Sequence, residues 1–236
     1  MVAYLIISQL FGDAPLPLPG SNCVVDISHY SKVSSVAQVK SDGIAAVICK
    51  ATEGAQSVDK TYAPNRKAFK PAGFKWGSYH FSSGDPAILQ AENYLSHADP
   101  QNDELICLDY EPSFRGPNMT FDQMMEFITI LHRETDRYPM IYGGSLLRET
   151  LAKQSDPILA QCPLWYAYYP TRSDHPIGVP KPWTDWTLWQ CTDGNHGPSP
   201  QTVKGIGNCD RDTYNGTAAD MLANWRSPDI GAGLRF

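Results

Sequence analysis

The chain is poor in cysteine and in metal-binding patterns, and these shortages narrow its chemistry first. Six cysteines in 236 residues are too few for a disulfide scaffold, and none stands in a CxxC pair. There is no HxH or HExxH, so a zinc centre has no sequence support. No GxSxG elbow or Cys-His signature marks a nucleophilic hydrolase, and no Gly-rich phosphate loop follows a strand. Positive charge is not in excess. Nineteen Lys and Arg against 25 Asp and Glu give a net charge of -6, which argues against nucleic acid or an anionic membrane as a partner. No segment approaches a membrane span, and there is no repeat or low-complexity tract. An oxygen-only Mg²⁺ or Ca²⁺ site built from carboxylates stays open on these grounds.

What the chain does have is aromatic surface and a globular balance. Twelve Tyr, eight Phe and six Trp can fill a core or stack on sugar rings. The length suits one large domain and approaches that of a (β/α)8 barrel. Val2 to Ile7 is apolar, but no Lys or Arg precedes it, and the run is shorter than a usual signal core. Asp13 to Pro19 is proline-rich, so residues 1–21 are expected to form an extended lead-in to a domain over 22–236. Cys23, Cys49 and Cys107 sit in or beside apolar runs and are expected to be buried thiols. Cys191 and Cys209 flank a loop between two late strands and are a candidate bridge.

Strand and helix patterns alternate through the first two thirds. Val24 to Ser28, Ile44 to Lys50, Trp76 to Phe81, Leu105 to Glu111 and Met140 to Gly143 have strand character, each followed by helical spacing. Thr120 with Gln123 forms a capping-box pattern ahead of Phe121, Met124, Met125, Ile128 and Leu131. Beyond Lys153 the rhythm changes. Leu164 to Tyr169, Thr187 to Cys191 and Asn208 to Asp212 are three further strands joined without helices, and Thr217 to Trp225 is a closing helix. Alternation predicts a parallel sheet, and eight strands favour closure into a single α/β barrel with a degraded last third. An open doubly wound sheet is the alternative, without its usual phosphate loop.

The segment LICLDYE, Leu105 to Glu111, carries the chemistry. Residues i and i+2 of a strand face the same way, so Asp109 and Glu111 point together from the end of a core strand. Two crowded acids cannot both ionise freely, and one tends to keep its proton, which suits acid catalysis on a glycosidic bond. Barrel active sites lie at the C-terminal strand ends. Asp26 ends the first strand, and Asp210 lies in the eighth. Closure places those two side by side, facing Asp109 and Glu111 across the mouth. His80, opposite in facing to Tyr79 and Phe81, is expected to be structural.

An ordered set of segments completes the picture: VVDISHY (Val24 to Tyr30), CKATEG (Cys49 to Gly54), GSYHF (Gly77 to Phe81), LDYE (Leu108 to Glu111), IYGG (Ile141 to Gly144), LWYAYY (Leu164 to Tyr169), LWQ (Leu188 to Gln190) and NCDRDTYNG (Asn208 to Gly216). Together they resemble glycoside hydrolase family 25, the lysozymes or N-acetylmuramidases. Cys49 and Cys209 depart from the family pattern. The resemblance implies a flattened, TIM-like (β/α)5β3 barrel that hydrolyses the β-1,4 bond from N-acetylmuramic acid to N-acetylglucosamine in peptidoglycan. It assigns Glu111 as general acid, Asp109 as the acid beside it, and Asp26 and Asp210 as the other two active-site carboxylates. Tyr79, Phe81, Tyr142, Trp165 and Gln190 fall in its groove-lining motifs. It implies no cofactor or metal, a monomer acting on peptidoglycan glycan strands, and work outside the cell or at its wall, after secretion or phage release.

Asp109 is expected to raise the pKa of Glu111. For the second step, a covalent route, direct attack by water and use of the substrate's N-acetyl group are all open, and the DxE pair favours the last. The rival readings are a non-catalytic glycan-binding barrel and a chitinase-like glycosidase, although the chitinase run DxxDxDxE is absent.

Overall fold

The structure, a computed structural model, describes residues 21–170 and 175–226. The expected lead-in therefore lies almost wholly outside the described residues. In chain order the first elements are β1 (Ser21–Ile27), α1 (Val36–Ser41), β2 (Ala46–Glu53), β3 (Ser57–Val58), α2 (Tyr62–Phe69) and β4 (Lys75–Phe81). They are followed by α3 (Ala87–Ala98), β5 (Leu105–Asp109), α4 (Phe121–Thr135), β6 (Met140–Gly143) and α5 (Ser145–Leu151). A 3-10 turn over Pro157–Gln161 leads into β7 (Leu164–Ala167) and β8 (Leu188–Thr192). The chain ends with β9 (Thr202–Val203), β10 (Gly207–Asn208), β11 (Asp210–Tyr214) and α6 (Ala218–Asn224).

Nine strands form the main sheet, in the order β1-β11-β8-β7-β6-β5-β4-β2-β3, and β1 also pairs with β2. The short β3 is a hairpin extension of β2, so the other eight strands close into a barrel. Helices α1 to α5 each follow one of the first five barrel strands, and none separates the last three, in agreement with the (β/α)5β3 expectation.

The parallel reading fails at the eighth barrel strand. It runs from Asp210 to Tyr214 rather than from Asn208, and it is antiparallel to both β1 and β8. A parallel return needs a long crossover, usually a helix, whereas an antiparallel strand needs only a hairpin-like turn. Residues 193–209 hold no helix, only the small β9–β10 hairpin, so the chain turns at the barrel mouth and runs back down.

Strand alternation sorts the core into two layers. Val24, Ala46, Ile48, Leu105, Cys107, Met140 and Leu188 fill the barrel interior. Val25, Val47, Ile106, Leu108, Ile141 and Trp189 face outward and pack under the helices. The α4 helix shows why these helices form. Thr120 Oγ1 accepts from the Gln123 backbone N–H while the Gln123 side chain caps Thr120 in return, a cap worth about 1 kcal/mol. Its Met124, Phe127, Ile128 and Leu131 are fully buried, at about 1.5–3 kcal/mol each.

His80 belongs to this outer layer and is structural, as expected. Its Nδ1 lies 2.8 Å from Thr52 Oγ1, and its Nε2 donates to Gln90 Oε1 at 3.1 Å. Burial pulls its pKa down to about 4, so the ring is neutral. Cys49, Cys107, Cys162, Cys191 and Cys209 are buried free thiols, and Cys23 is buried as well. The candidate Cys191–Cys209 bridge is therefore absent: Cys191 Sγ is turned towards the Arg211 carbonyl oxygen, 3.3 Å away.

Candidate active site

The inward-facing rows of the barrel strands end at one mouth, and the acids stand there. β5 stops at Asp109, so Glu111 lies beyond the strand. The alternation nevertheless persists, because the Tyr110 N–H still donates to the Tyr142 carbonyl at 2.9 Å. Tyr110 is thereby turned outward into the helix layer, and Asp109 and Glu111 both face in. The tight passage from β6 into α5 lies alongside. A Cβ on Gly143 would meet Leu147 Cβ at 2.7 Å and the Tyr110 carbonyl at 3.1 Å, so only glycine fits.

On the other side Asp26 and Asp210 are register partners across β1 and β11. Reversal of β11 puts Asp210 at the mouth as its first residue, where a parallel strand would end. Asp26, Asp109, Glu111 and Asp210 thus border one cavity of about 240 Å³. Tyr79, Phe81, Tyr142, Trp165 and Gln190 line the same cavity.

Gln190 sets the orientation of Asp26. Its Oε1 accepts from Tyr142 Oη at 2.7 Å and from Tyr169 Oη as well. Two hydroxyl donors on Oε1 leave the amide NH2 facing Asp26, and Nε2 donates to Asp26 Oδ2 at 2.6 Å. Tyr142 also packs on Trp165, ring centroids 4.5 Å apart, and the Trp165 indole N–H donates to Asp212 Oδ1 at 2.7 Å. The aromatic wall is therefore locked by hydrogen bonds beneath it.

Burial dominates the electrostatics. Asp26 is raised well above the usual carboxylate range by desolvation, then by the charges of Asp210 and Asp212. Asp210 is raised to about 7, again by burial first. Asp109 is raised by burial and then by Glu111, with the Lys50 ammonium pulling the other way. Glu111 is raised by burial. The repulsion between Asp109 and Glu111 is mutual and disfavours ionisation of both, Asp109 being the deeper acid. Desolvation of the cluster favours the protonated form of each acid, which is the state a general acid needs.

Several residues at the site were given no role by the sequence, although Lys50, Tyr30 and Asp212 lie within the segments quoted above. Lys50 lines the cavity, paired with Glu53 at 2.6 Å and lying 4.5 Å from the centre of the Phe81 ring. Besides its place in CKATEG, its inward facing is readable from strand alternation, since it follows the inward Ile48 by two. Phe114 stacks on Phe81 at 5.6 Å, and Tyr30 joins it at the rim; both are exposed. Asp212 is wholly buried under the floor, with its pKa raised by desolvation. Among the described residues, no three His, Cys, Asp or Glu side chains are placed to hold a metal ion, and no helix is long and apolar enough to cross a membrane.

A closed α/β barrel with crowded, desolvated carboxyl groups in an aromatic-walled mouth has the make-up of a glycoside hydrolase. The chain belongs to glycosyl hydrolases family 25, whose model matches residues 25–199. That stretch contains Asp26, Asp109 and Glu111 and stops short of Asp210. The chain is 26% identical over 213 residues to Lysozyme M1 of Streptomyces globisporus, covering 84% of this chain and 69% of that one. It is similar to the solved lysozyme of Streptomyces coelicolor, with TM-score 0.75 and 27% identity over 87% of this chain and 97% of that one. A muramidase from Trichobolus zukalii matches with TM-score 0.68 and 26% identity over 84% and 96%. The protein is a lysozyme-like glycoside hydrolase.

Proposed function

We propose that the protein is a 1,4-β-N-acetylmuramidase, cleaving peptidoglycan between N-acetylmuramic acid and N-acetylglucosamine. The catalytic unit is residues 22–236, acting as a monomer on wall glycan after secretion or phage release. The observation that carries this reading is the convergence of Asp26, Asp109, Glu111 and Asp210 on one cavity walled by Tyr79, Phe81, Tyr142 and Trp165. Sugar rings stack on such walls, and the acids lie where the bond would cross.

Glu111, the partly exposed acid of the DxE pair, protonates the leaving glycosidic oxygen. Asp109 acts on the sugar's acetamide. Its Oδ1 is buried with no hydrogen-bond partner in the protein, and an acetamide N–H supplies the missing donor. Holding the acetamide lets its carbonyl oxygen attack the anomeric carbon as the leaving oxygen takes the proton. Asp26, oriented by Gln190, and Asp210 hold sugar hydroxyls and the water that completes hydrolysis. Glu111→Gln should lower kcat on purified peptidoglycan at least about 100-fold with KM little changed. Wall clearance by that variant at the normal rate would overturn the assignment. NMR of fresh products from the native enzyme separates muramidase action from binding without turnover, and a chitin-oligomer control separates it from a chitinase.

A further inference from the structure

Beside the catalytic cavity lies a second hollow of about 260 Å³, joined to the first through Lys50, which lines both. Its lining differs in kind. Where the catalytic mouth is aromatic and acidic, this hollow is walled by charges of both signs and contains no Tyr, Phe or Trp. Two of the charges are committed internally. Glu53 pairs with Lys50 at 2.6 Å. Asp59 is held by His29 Nδ1 at 2.7 Å and by the Thr61 hydroxyl at 2.6 Å, and these bonds keep it ionised.

Lys60 and Arg115 remain. Both are exposed, Lys60 has no ion-pair partner among the described residues, and Arg115 reaches Glu53 only at 3.9 Å. A neutral sugar can hydrogen-bond to these side chains but brings no counter-charge to Lys60 and Arg115. In peptidoglycan, the muramic lactyl group is amide-linked to a peptide, and the ionised groups of the polymer are that peptide's carboxylates and side-chain amine.

We propose that this hollow binds the stem peptide of the muramic residue, with Lys60 and Arg115 taking its carboxylates. The proposal rests on the muramidase reading, in which the muramic sugar beside Glu111 directs its lactyl group out of the cleft. The enzyme then recognises peptide-bearing glycan, and the stem helps to set which bond is cut.

The test compares kcat/KM on one glycan preparation in two forms, with stem peptides intact and with them removed by an amidase. The native enzyme should prefer the intact form by about tenfold, as two partly exposed charge contacts allow. Raising the salt concentration should shrink that preference. Lys60→Glu with Arg115→Glu should bring the ratio close to one, while a thermal melt confirms the fold. Lys60→Ala should give an intermediate ratio. Equal rates on both forms by the native enzyme, or an unchanged ratio in the double variant, would overturn the proposal. No cleavage of either form by the native enzyme would overturn the muramidase reading itself, and this proposal with it.

Discussion

Asp210→Asn should stabilise the fold, by an amount that grows with pH. Burial raises the Asp210 carboxyl from 3.8 to about 7. Below pH 4 the folded and unfolded chains both carry its proton, and the substitution changes little. Between 3.8 and about 7 the unfolded chain has ionised and the folded chain has not. Stability falls with pH wherever the native state binds more protons, at about 1.4 kcal/mol per unit for one group. The full window corresponds to about 4 kcal/mol, and sharing of protons with Asp26 and Glu111 brings the expected gain to about 2–4 kcal/mol at pH 8. Asparagine is nearly isosteric and binds no proton, so it is free of this loss. The assay is urea unfolding of both proteins at pH 4, 5.5 and 8 at fixed ionic strength. A difference that does not change with pH, or a variant less stable at pH 8, would refute the assignment of a buried, protonated acid. Activity should fall in the same variant. Its pH profile should also move at the acid side, because Asp26 loses the neighbouring charge that contributes most to its raised pKa.

Trp165→Phe keeps a ring in the wall but removes the N–H that serves Asp212, leaving a buried acid with neither oxygen partnered. The expected cost is about 1–3 kcal/mol by denaturant melt, and adding Asp212→Leu should recover part of it; no loss in the single variant would show that the bond contributes nothing. The thiols are buried, with Cys162, Cys191 and Cys209 each pushed up to about 12, so an aromatic disulfide reagent should leave Cys49, Cys107, Cys162, Cys191 and Cys209 unlabelled in the native protein and label all five after denaturation. The Tm should be the same with and without reductant; rapid native labelling would contradict the burial.

Much of the architecture was legible because apolar alternation and caps are local signals. Met140 to Gly143 is found over the residues its pattern predicts, and the Thr120 cap is formed as its spacing implies. β3 and the β9–β10 hairpin escaped because two-residue strands carry no periodicity. The reversal of β11 escaped for a different reason. Strand direction is set by what connects two strands, and a polar loop without helical spacing excludes a crossover only when the barrel is already known to close. Asp26 and Asp210 were still expected to be neighbours, since closure alone makes the first and last strands adjacent.

Reversal of β11 also explains why the acids could be placed while their support could not. In a parallel strand the last inward residue reaches the mouth and the one before it lies deeper. In β11 the order is inverted: Asp210 comes first, at the mouth, and Asp212, two residues on, lies a layer below under Trp165. DRD thus delivers one acid to the mouth and one to the floor, a division that spacing cannot assign without direction. Lys50 is the converse case. Its inward facing follows from Ile48 by alternation, yet an ammonium in a barrel interior makes sense only once Glu53 and Phe81 are seen beside it. Both residues act on the acids of the mouth, Lys50 against the shift of Asp109 and Asp212 towards that of Asp26. The charge state of the mouth is therefore set from below as well as from within, by residues whose partners lie far away in the chain.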